Sequence, residues 1–258
     1  MNIRVLGCSG AIAAGYKTTA FLLDDDVLID AGTGVGDLTL DEMAKIDHIF
    51  VSHSHLDHVL GIPLLADAVL RLRAAAGRPP IQVHALPETL EALRRHIFNG
   101  VIWPDFTAIP DIGNGIVGFI GLKPGQPMKT DGYTVTPYKV RHSVPAAGYL
   151  IESEKGRRVF YTGDTGPTSS TWEKLKGKRI DCLIIEVSFP EKMAKLAIKT
   201  GHLTPGLLKK ELAKMDPLPE KIYVTHLKPQ YFKTIKQELL GIGVKHLRIL
   251  KDGETIRI

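Results

Sequence analysis

Short apolar runs separated by turn residues dominate the chain, and most are of strand rather than helix length. In the first half they read "IRVLG" (3–7), "TAFLLD" (19–24), "VLIDAG" (27–32) and "HIFVS" (48–52). The second half repeats the pattern with "YTVTPYKV" (133–140), "AGYLIES" (147–153), "RVFYTGD" (158–164), "CLIIEV" (182–187), "KIYVTH" (221–226) and "LRILKDG" (247–253). Runs this short, rich in Val, Ile, Phe and Tyr and bounded by Gly, Asp or Ser, suit β-strands. Apolar residues recurring about every 3.6 positions mark helices over 63–76, 87–97, 205–215 and 232–241. Thr204 before Pro205 supplies one helix start, a capping hydroxyl followed by a residue that needs no N–H partner. Each half runs strands first and helices after, which predicts two sheets packed face to face with helices outside. The Gly- and Pro-rich stretch 108–127 is expected as a loop or a mobile lid.

Composition narrows the setting. With 258 residues, 44% of them hydrophobic and 24% charged, the chain can bury a sizeable core. Its two cysteines, Cys8 and Cys182, sit in apolar runs and read as buried thiols, so a reducing, cytoplasmic location is expected. The start enters a strand-like segment without a leader pattern, and no apolar run nears the ~18 residues that span a bilayer, so no membrane partner is expected. The net charge of +5 is scattered, which favours anionic small molecules over a nucleic-acid-binding face.

The chemistry concentrates in "IFVSHSHLDHVLG" (49–61), where His53, His55, Asp57 and His58 follow a strand-like run. A strand-to-helix turn splays such side chains toward one point, and neutral imidazole with carboxylate suits Zn²⁺, Mn²⁺ or Fe²⁺. His142 in "YKVRHSVP", Asp164 in "FYTGDTG" and His226 in "YVTHLKP" also follow strand-like runs. Together these seven donors are about what a dinuclear site needs. His48, His84 and His246 lack such company and read as surface or core residues. His202 in "GHLTP" precedes a Thr-Pro helix start, which places an imidazole beside backbone N–H groups suited to an anion.

"HSHLDH" with His142, "GDTG" and "THLKP" resembles the metallo-β-lactamase superfamily over nearly the whole chain. More narrowly, "HSHLDHVLGIPLL", "RRHIFNGVIWPDF" (94–106), "TGDTGP" (162–167), "IIEVSFP" (184–190) and "GHLTP" (201–205) look like the class II 3′,5′-cyclic-nucleotide phosphodiesterases. The chain departs from that pattern at "LLADA", where the family has Ser-Ala or Ser-Pro.

The resemblance implies an α/β fold, a four-layer αββα sandwich forming one domain over 1–258, with two divalent metals, zinc foremost and Mn²⁺ or Fe²⁺ as alternatives. His53, His55 and His142 would hold the first metal, Asp57, His58 and His226 the second, and Asp164 would bridge them. The implied activity is hydrolysis of cyclic AMP-like 3′,5′-cyclic nucleotides by a hydroxide between the metals. His202 would protonate the leaving oxygen, Glu186 would orient it, and Asp57 would also steer the hydroxide. Trp103, Phe98 and Phe106 are candidates for stacking a purine, with Phe98 and Phe106 also reading as core. His96, Asn99 and Thr204 are candidate contacts to ribose or phosphate. The competing readings are a tRNA 3′-end endonuclease, a broad hydrolase with lactamase side activity, and a metal-binding module without turnover. The first of these would need a basic arm, and 108–127 has few basic residues. A homodimer is expected by analogy with relatives alone.

Overall fold

The computed structural model describes residues 1–111, 114–130 and 132–258, with only the backbone described at 111 and 114. The chain passes through β1 (Asn2–Gly7), β2 (Ala20–Leu23), β3 (Val27–Ala31), α1 (Leu40–Lys45), β4 (His48–Phe50), α2 (Leu56–Val59), α3 (Gly61–Ala75), β5 (Ile81–Ala85) and α4 (Pro87–His96). A short ladder of β6 (Pro110–Asp111) with β7 (Asn114–Gly115) then precedes β8 (Val117–Gly121). The second half comprises β9 (Met128–Thr130), β10 (Tyr133–Lys139), β11 (Ala147–Ser153), β12 (Arg158–Tyr161), α5 (Ser170–Leu175), β13 (Cys182–Glu186), α6 (Ala194–Thr200), α7 (Pro205–Leu212), β14 (Lys221–Thr225), α8 (Phe232–Gly241), β15 (Leu247–Ile249) and β16 (Thr255–Arg257).

Two seven-stranded sheets result, ordered β16-β1-β2-β3-β4-β5-β8 and β15-β14-β13-β12-β11-β10-β9. Strand periodicity decides which face each side chain joins. In β2, Ala20 and Leu22 join the core on the outer, helix-covered face, while Phe21 and Leu23 join the core between the sheets. In β13, Cys182 and Ile184 face the inter-sheet core, and Leu183 and Ile185 face the core shared with α7 and α8. The product is the expected αββα sandwich. Both cysteines are buried and free, as expected. Among the described residues, no helix is long and apolar enough to cross a membrane.

In each sheet the strands that lead to the site run parallel: β3, β4, β5 and β8 in one, β12 to β15 in the other. Loops at the carboxyl ends of such strands are where open α/β sheets place ligands. Backbone bonds tie the sheets together at that edge, with Ala147 N–H donating to the Ser52 carbonyl at 2.9 Å.

Several elements differ from expectation. The stretch 108–127, expected as a loop or a mobile lid, contains a strand among its described residues: Val117–Gly121 pairs in parallel with Ile81–Ala85 as an edge strand, and Ile116 and Val117 are buried against the outer core. Residues 112 and 113 of that stretch lie outside the described residues. The strand at "IQVHA" was hidden by Gln82 and His84, which break its apolar pattern. His84 is a core histidine, fully buried, stacked on Phe50 with ring centroids 4.5 Å apart and 3.0 Å from the His48 ring. Burial holds its imidazole neutral, its pKa lowered to about 3.

The Thr204 cap is present, its hydroxyl accepting the Leu207 N–H at 3.3 Å with Pro205 opening α7. At the edge of the inter-sheet core, fully buried Tyr149 donates its hydroxyl to the Val51 carbonyl at 2.5 Å, two residues before His53. Tyr149→Phe should therefore cost about 1–3 kcal/mol by leaving that carbonyl without its buried donor. Thermal unfolding would register this as a lowered midpoint, roughly 2–4 °C per kcal/mol for a chain of this size. An unchanged midpoint would show the bond to be dispensable.

Candidate metal centre

Seven donors converge at the strand edge in two groups. In the first, His53 Nε2 lies 3.0 Å and His142 Nε2 3.1 Å from His55 Nδ1. In the second, His226 Nε2 lies 3.4 Å from His58 Nε2 and 3.2 Å from Asp57 Oδ2. Asp164 stands between the groups, its Oδ2 3.3 Å from His226 Nε2 and 3.9 Å from His53 Nε2, and its Oδ1 3.5 Å from His58 Nε2.

Outer partners set which ring nitrogens face inward. His142 Nδ1–H donates to the Gly201 carbonyl at 2.8 Å. Gly201 ends α6 at φ +73°, and a Cβ there would stand 2.7 Å from His142 Cα, so only glycine brings this carbonyl so close. His58 Nδ1–H donates to Asp30 Oδ2 at 2.7 Å, and His53 Nδ1–H to Ser52 Oγ at 3.0 Å. Ser52 Oγ in turn donates to Asp30 at 2.8 Å, as does the Tyr161 hydroxyl at 2.6 Å. His226 Nδ1–H donates to Ser188 Oγ at 2.8 Å, and that hydroxyl donates to Glu186 Oε2 at 2.9 Å.

With Nδ1–H committed outward, the Nε2 lone pairs of His53 and His142 face His55 Nδ1 at 3.0 and 3.1 Å, and those of His58 and His226 face each other at 3.4 Å. Such lone pairs repel unless a cation, a metal ion or a proton, stands between them. Asp164 Oδ1 is buried without a hydrogen-bond partner, which marks the same requirement from the acidic side. Donor chemistry and geometry therefore fit two divalent cations: His53, His55 and His142 would hold one, Asp57, His58 and His226 the other, with Asp164 between them.

Three imidazoles carry the charge state that ligation needs. Burial presses His53 well below the usual histidine value, with the adjacent His58 adding to the effect. Burial likewise lowers His55 and His142, keeping them neutral and ready to ligate. For His58 burial acts downward, but the Asp164 and Asp30 carboxylates outweigh it and raise the imidazole well above its usual value, so that without a metal ion a proton occupies the ligating nitrogen. Burial opposes ionisation of Asp57, yet the neighbouring His226 and His58 rings prevail and lower its carboxyl to about 2.

His202 completes the site. Its Nδ1–H donates to Glu186 Oε1 at 2.8 Å, and its ring lies edge-on to Phe189 at 5.6 Å between centroids. Burial works against its charged form, but the Glu186 carboxylate more than compensates and raises its pKa.

The five candidate substrate contacts of the 96–106 segment are not brought to this centre. α4 leads from the carboxyl end of β5 back toward the start of β8, so the 96–106 segment closes the far end of the sheet, where the Val117 N–H donates to the Phe106 carbonyl. His96 is exposed at the end of α4. The Asn99 carboxamide holds its own turn, accepting from the Val101 and Ile102 N–H groups at 3.0 and 2.8 Å. Trp103 packs against the outer core, while Phe98 and Phe106 are buried in it. Thr204, though two residues from His202, uses its hydroxyl to cap α7. Two residues that do shape the centre were missed. Asp30 ends an apolar run and Ser188 follows Glu186 in "EVSFP"; the lone acid in "VLIDAG" was the available signal.

Asp164→Ala should lose bound metal, because each cation would then face the other's charge without the intervening carboxylate. Elemental analysis should find about two ions per chain before the change and clearly fewer after it. Asp30→Ala, which touches no metal, should weaken metal affinity about 10–100-fold in a chelator competition by freeing the His58 and His53 rings. Retention of wild-type affinity would show that Asp30 serves folding alone.

The comparisons with known proteins accord with this geometry. A "Probable 3′,5′-cyclic-nucleotide phosphodiesterase" of Yersinia pestis is 29% identical over 216 residues, covering 72% of this chain. The match spans only 58% of that relative's length. A "Ribonuclease Z" of Bradyrhizobium sp. (strain ORS 278) is 28% identical over 231 residues, covering 69% of this chain and 72% of its own. The crystal structure of the metallo-beta-lactamase fold protein YhfI from Bacillus subtilis superposes with a TM-score of 0.79 at 21% identity, covering 99% of both chains. The sequence profile of the beta-lactamase superfamily domain matches residues 26–227, a span that carries every donor of the centre, and the chain therefore belongs to that superfamily.

Proposed function

We propose that this chain is a metal-dependent phosphodiesterase whose substrates are 3′,5′-cyclic nucleotides of the cyclic AMP kind, with zinc in both metal positions. The observation that carries the proposal is His202. A proton donor placed beside a two-cation donor set suits a reaction whose leaving group is a basic alkoxide. The Yersinia pestis relative supports the cyclic-nucleotide assignment. The Bradyrhizobium relative, of almost equal identity, favours a second reading, cleavage of an RNA phosphodiester.

Two divalent cations in this donor set would supply Lewis acidity toward a phosphoryl oxygen and would make hydroxide available near neutral pH. The chain's own residues do the rest. Glu186 fixes the His202 ring through Nδ1 and favours its protonated form, so Nε2 carries the proton that the departing ribose oxygen needs. Ser188 holds the other Glu186 oxygen, so this carboxylate cannot swing away from His202. Phe189 packs against the His202 ring in a T-shaped arrangement, with ring centroids 5.6 Å apart. Asp57, the donor carboxylate that keeps some exposure, has an oxygen placed to orient an entering water.

Turnover of cyclic AMP, a precursor tRNA and a β-lactam, measured side by side with and without chelator, separates the readings. The proposal expects metal-dependent cleavage with cyclic AMP preferred, and a preference for the tRNA would overturn it. His202→Ala should retain both metals and lose about 10²–10⁴-fold in kcat on cyclic AMP. The loss on bis-nitrophenyl phosphate should be much smaller, because a nitrophenolate departs without a proton. Equal losses on the two substrates would assign His202 to phosphate binding instead.

A further inference from the structure

Beside the metal centre lies a cleft of about 680 Å³ that no role described so far uses. Its walls are the two loops that carry His142 and Asp164: Lys139, Arg141 and Ser143 on one side, Thr168, Ser169 and Ser170 on the other. His142 lines the cleft and belongs to the donor set, so the two spaces adjoin.

The walls are built rather than incidental. Arg141 is held at both ends of its peptide unit, its N–H donating to Thr165 Oγ1 at 3.3 Å and its carbonyl accepting the Gly166 N–H at 2.6 Å. Its guanidinium reaches across the cleft but finds only the Pro167 carbonyl, at 3.5 Å. The Lys139 carbonyl accepts from Thr171 Oγ1 at 2.8 Å, tying the walls together again. Behind the second wall the buried Glu211 carboxylate accepts from the Thr168 N–H at 3.1 Å and from Trp172 Nε1 at 2.7 Å. Among the described residues neither Lys139 nor Arg141 is paired with a carboxylate. One acid, Glu88, also lines the cleft, which leaves two cations against one anion.

An arginine fork on a held backbone, a lysine point charge and serine hydroxyls are the chemistry that recognises a phosphate dianion. A simple cyclic mononucleotide has one phosphate, and the metal centre takes it. We propose that this cleft binds a second, non-reacting phosphate, so that nucleotide phosphodiesters bearing an additional terminal phosphomonoester are cleaved faster than the same diesters without it. The inference rests on the phosphodiesterase reading and extends the substrates of that site beyond cyclic AMP.

The test compares the dinucleotide ApA with its 5′-phosphorylated form pApA on the metal-loaded protein, alongside bis-nitrophenyl phosphate. The added phosphate should raise kcat/KM about ten- to hundredfold, as expected for charge-assisted hydrogen bonds. In the Lys139→Gln/Arg141→Gln double variant the pApA-to-ApA ratio should fall to about one. Arg141→Lys, which keeps the charge and loses the fork, should keep part of the preference. Equal turnover of pApA and ApA by the unaltered protein, or a ratio that survives the double substitution, overturns the inference. Calorimetric titration with adenosine 3′,5′-bisphosphate and with AMP reads the cleft without turnover. The double variant should lose about tenfold in bisphosphate affinity and little in AMP affinity, and equal bisphosphate affinity in both proteins overturns the inference by itself. Absence of turnover on all three diesters, with the bisphosphate difference intact, would overturn the phosphodiesterase reading and support the cleft.

Discussion

Asp164, a fully buried carboxylate, faces the rings of His53, His58, His142, His202 and His226 at 3.3–4.0 Å, and the rest of the site is arranged around it. Burial raises the cost of its charge, yet the surrounding imidazoles, His226 and His58 foremost, hold its carboxyl well below the usual value. An uncompensated charge at that depth would cost far more than one loop is worth, so the donors must arrive together. They come from both sheets, His53, His55, Asp57 and His58 after β4, and His142, Asp164 and His226 from loops of the second sheet. Assembly of the centre is thus the same event as closure of the sandwich.

The outer partners follow one plan, executed once in each sheet. In the first, Asp30 and Ser52 fix the rings of His53 and His58. In the second, Glu186 and Ser188 fix those of His226 and His202. A carboxylate backed by a serine holds two imidazoles in each case, which turns the rings of His53, His58, His226 and His202 into predetermined directions. Asp30 and His226 adopt left-handed backbone at φ +55° and +64°, unusual for non-glycine residues. Strain of this kind persists where surrounding structure over-determines it, and here it turns functional side chains toward the centre.

The same loops that carry His142 and Asp164 also shape the neighbouring cleft. The Arg141 backbone is held by the Thr165 hydroxyl and the Gly166 N–H, so any change that shifts the Asp164 loop moves a cleft wall with it. The donor set and the cleft are therefore coupled through a few hydrogen bonds rather than built as separate modules.

Local chemistry alone made the inventory of donors legible. His53, His55, Asp57 and His58 crowd one strand end, and His142, Asp164 and His226 each end another, so residue type and strand periodicity were enough to name them. The two-sheet architecture followed from the same periodicity, because alternate residues of a strand must face opposite cores. What the sequence withheld depends on non-local contact. The Val117–Gly121 strand reads as Gly-rich loop because its stability comes from pairing with β5, not from its own pattern. The 96–106 segment carries aromatic and polar residues that suit a nucleotide, but the direction of α4 takes it to the far end of the sheet. Asp30, Ser188 and the Arg141 cleft became visible only once both sheets were in place. Their roles lie in hydrogen bonds and walls shared between segments far apart in the chain, and such distances are fixed by packing.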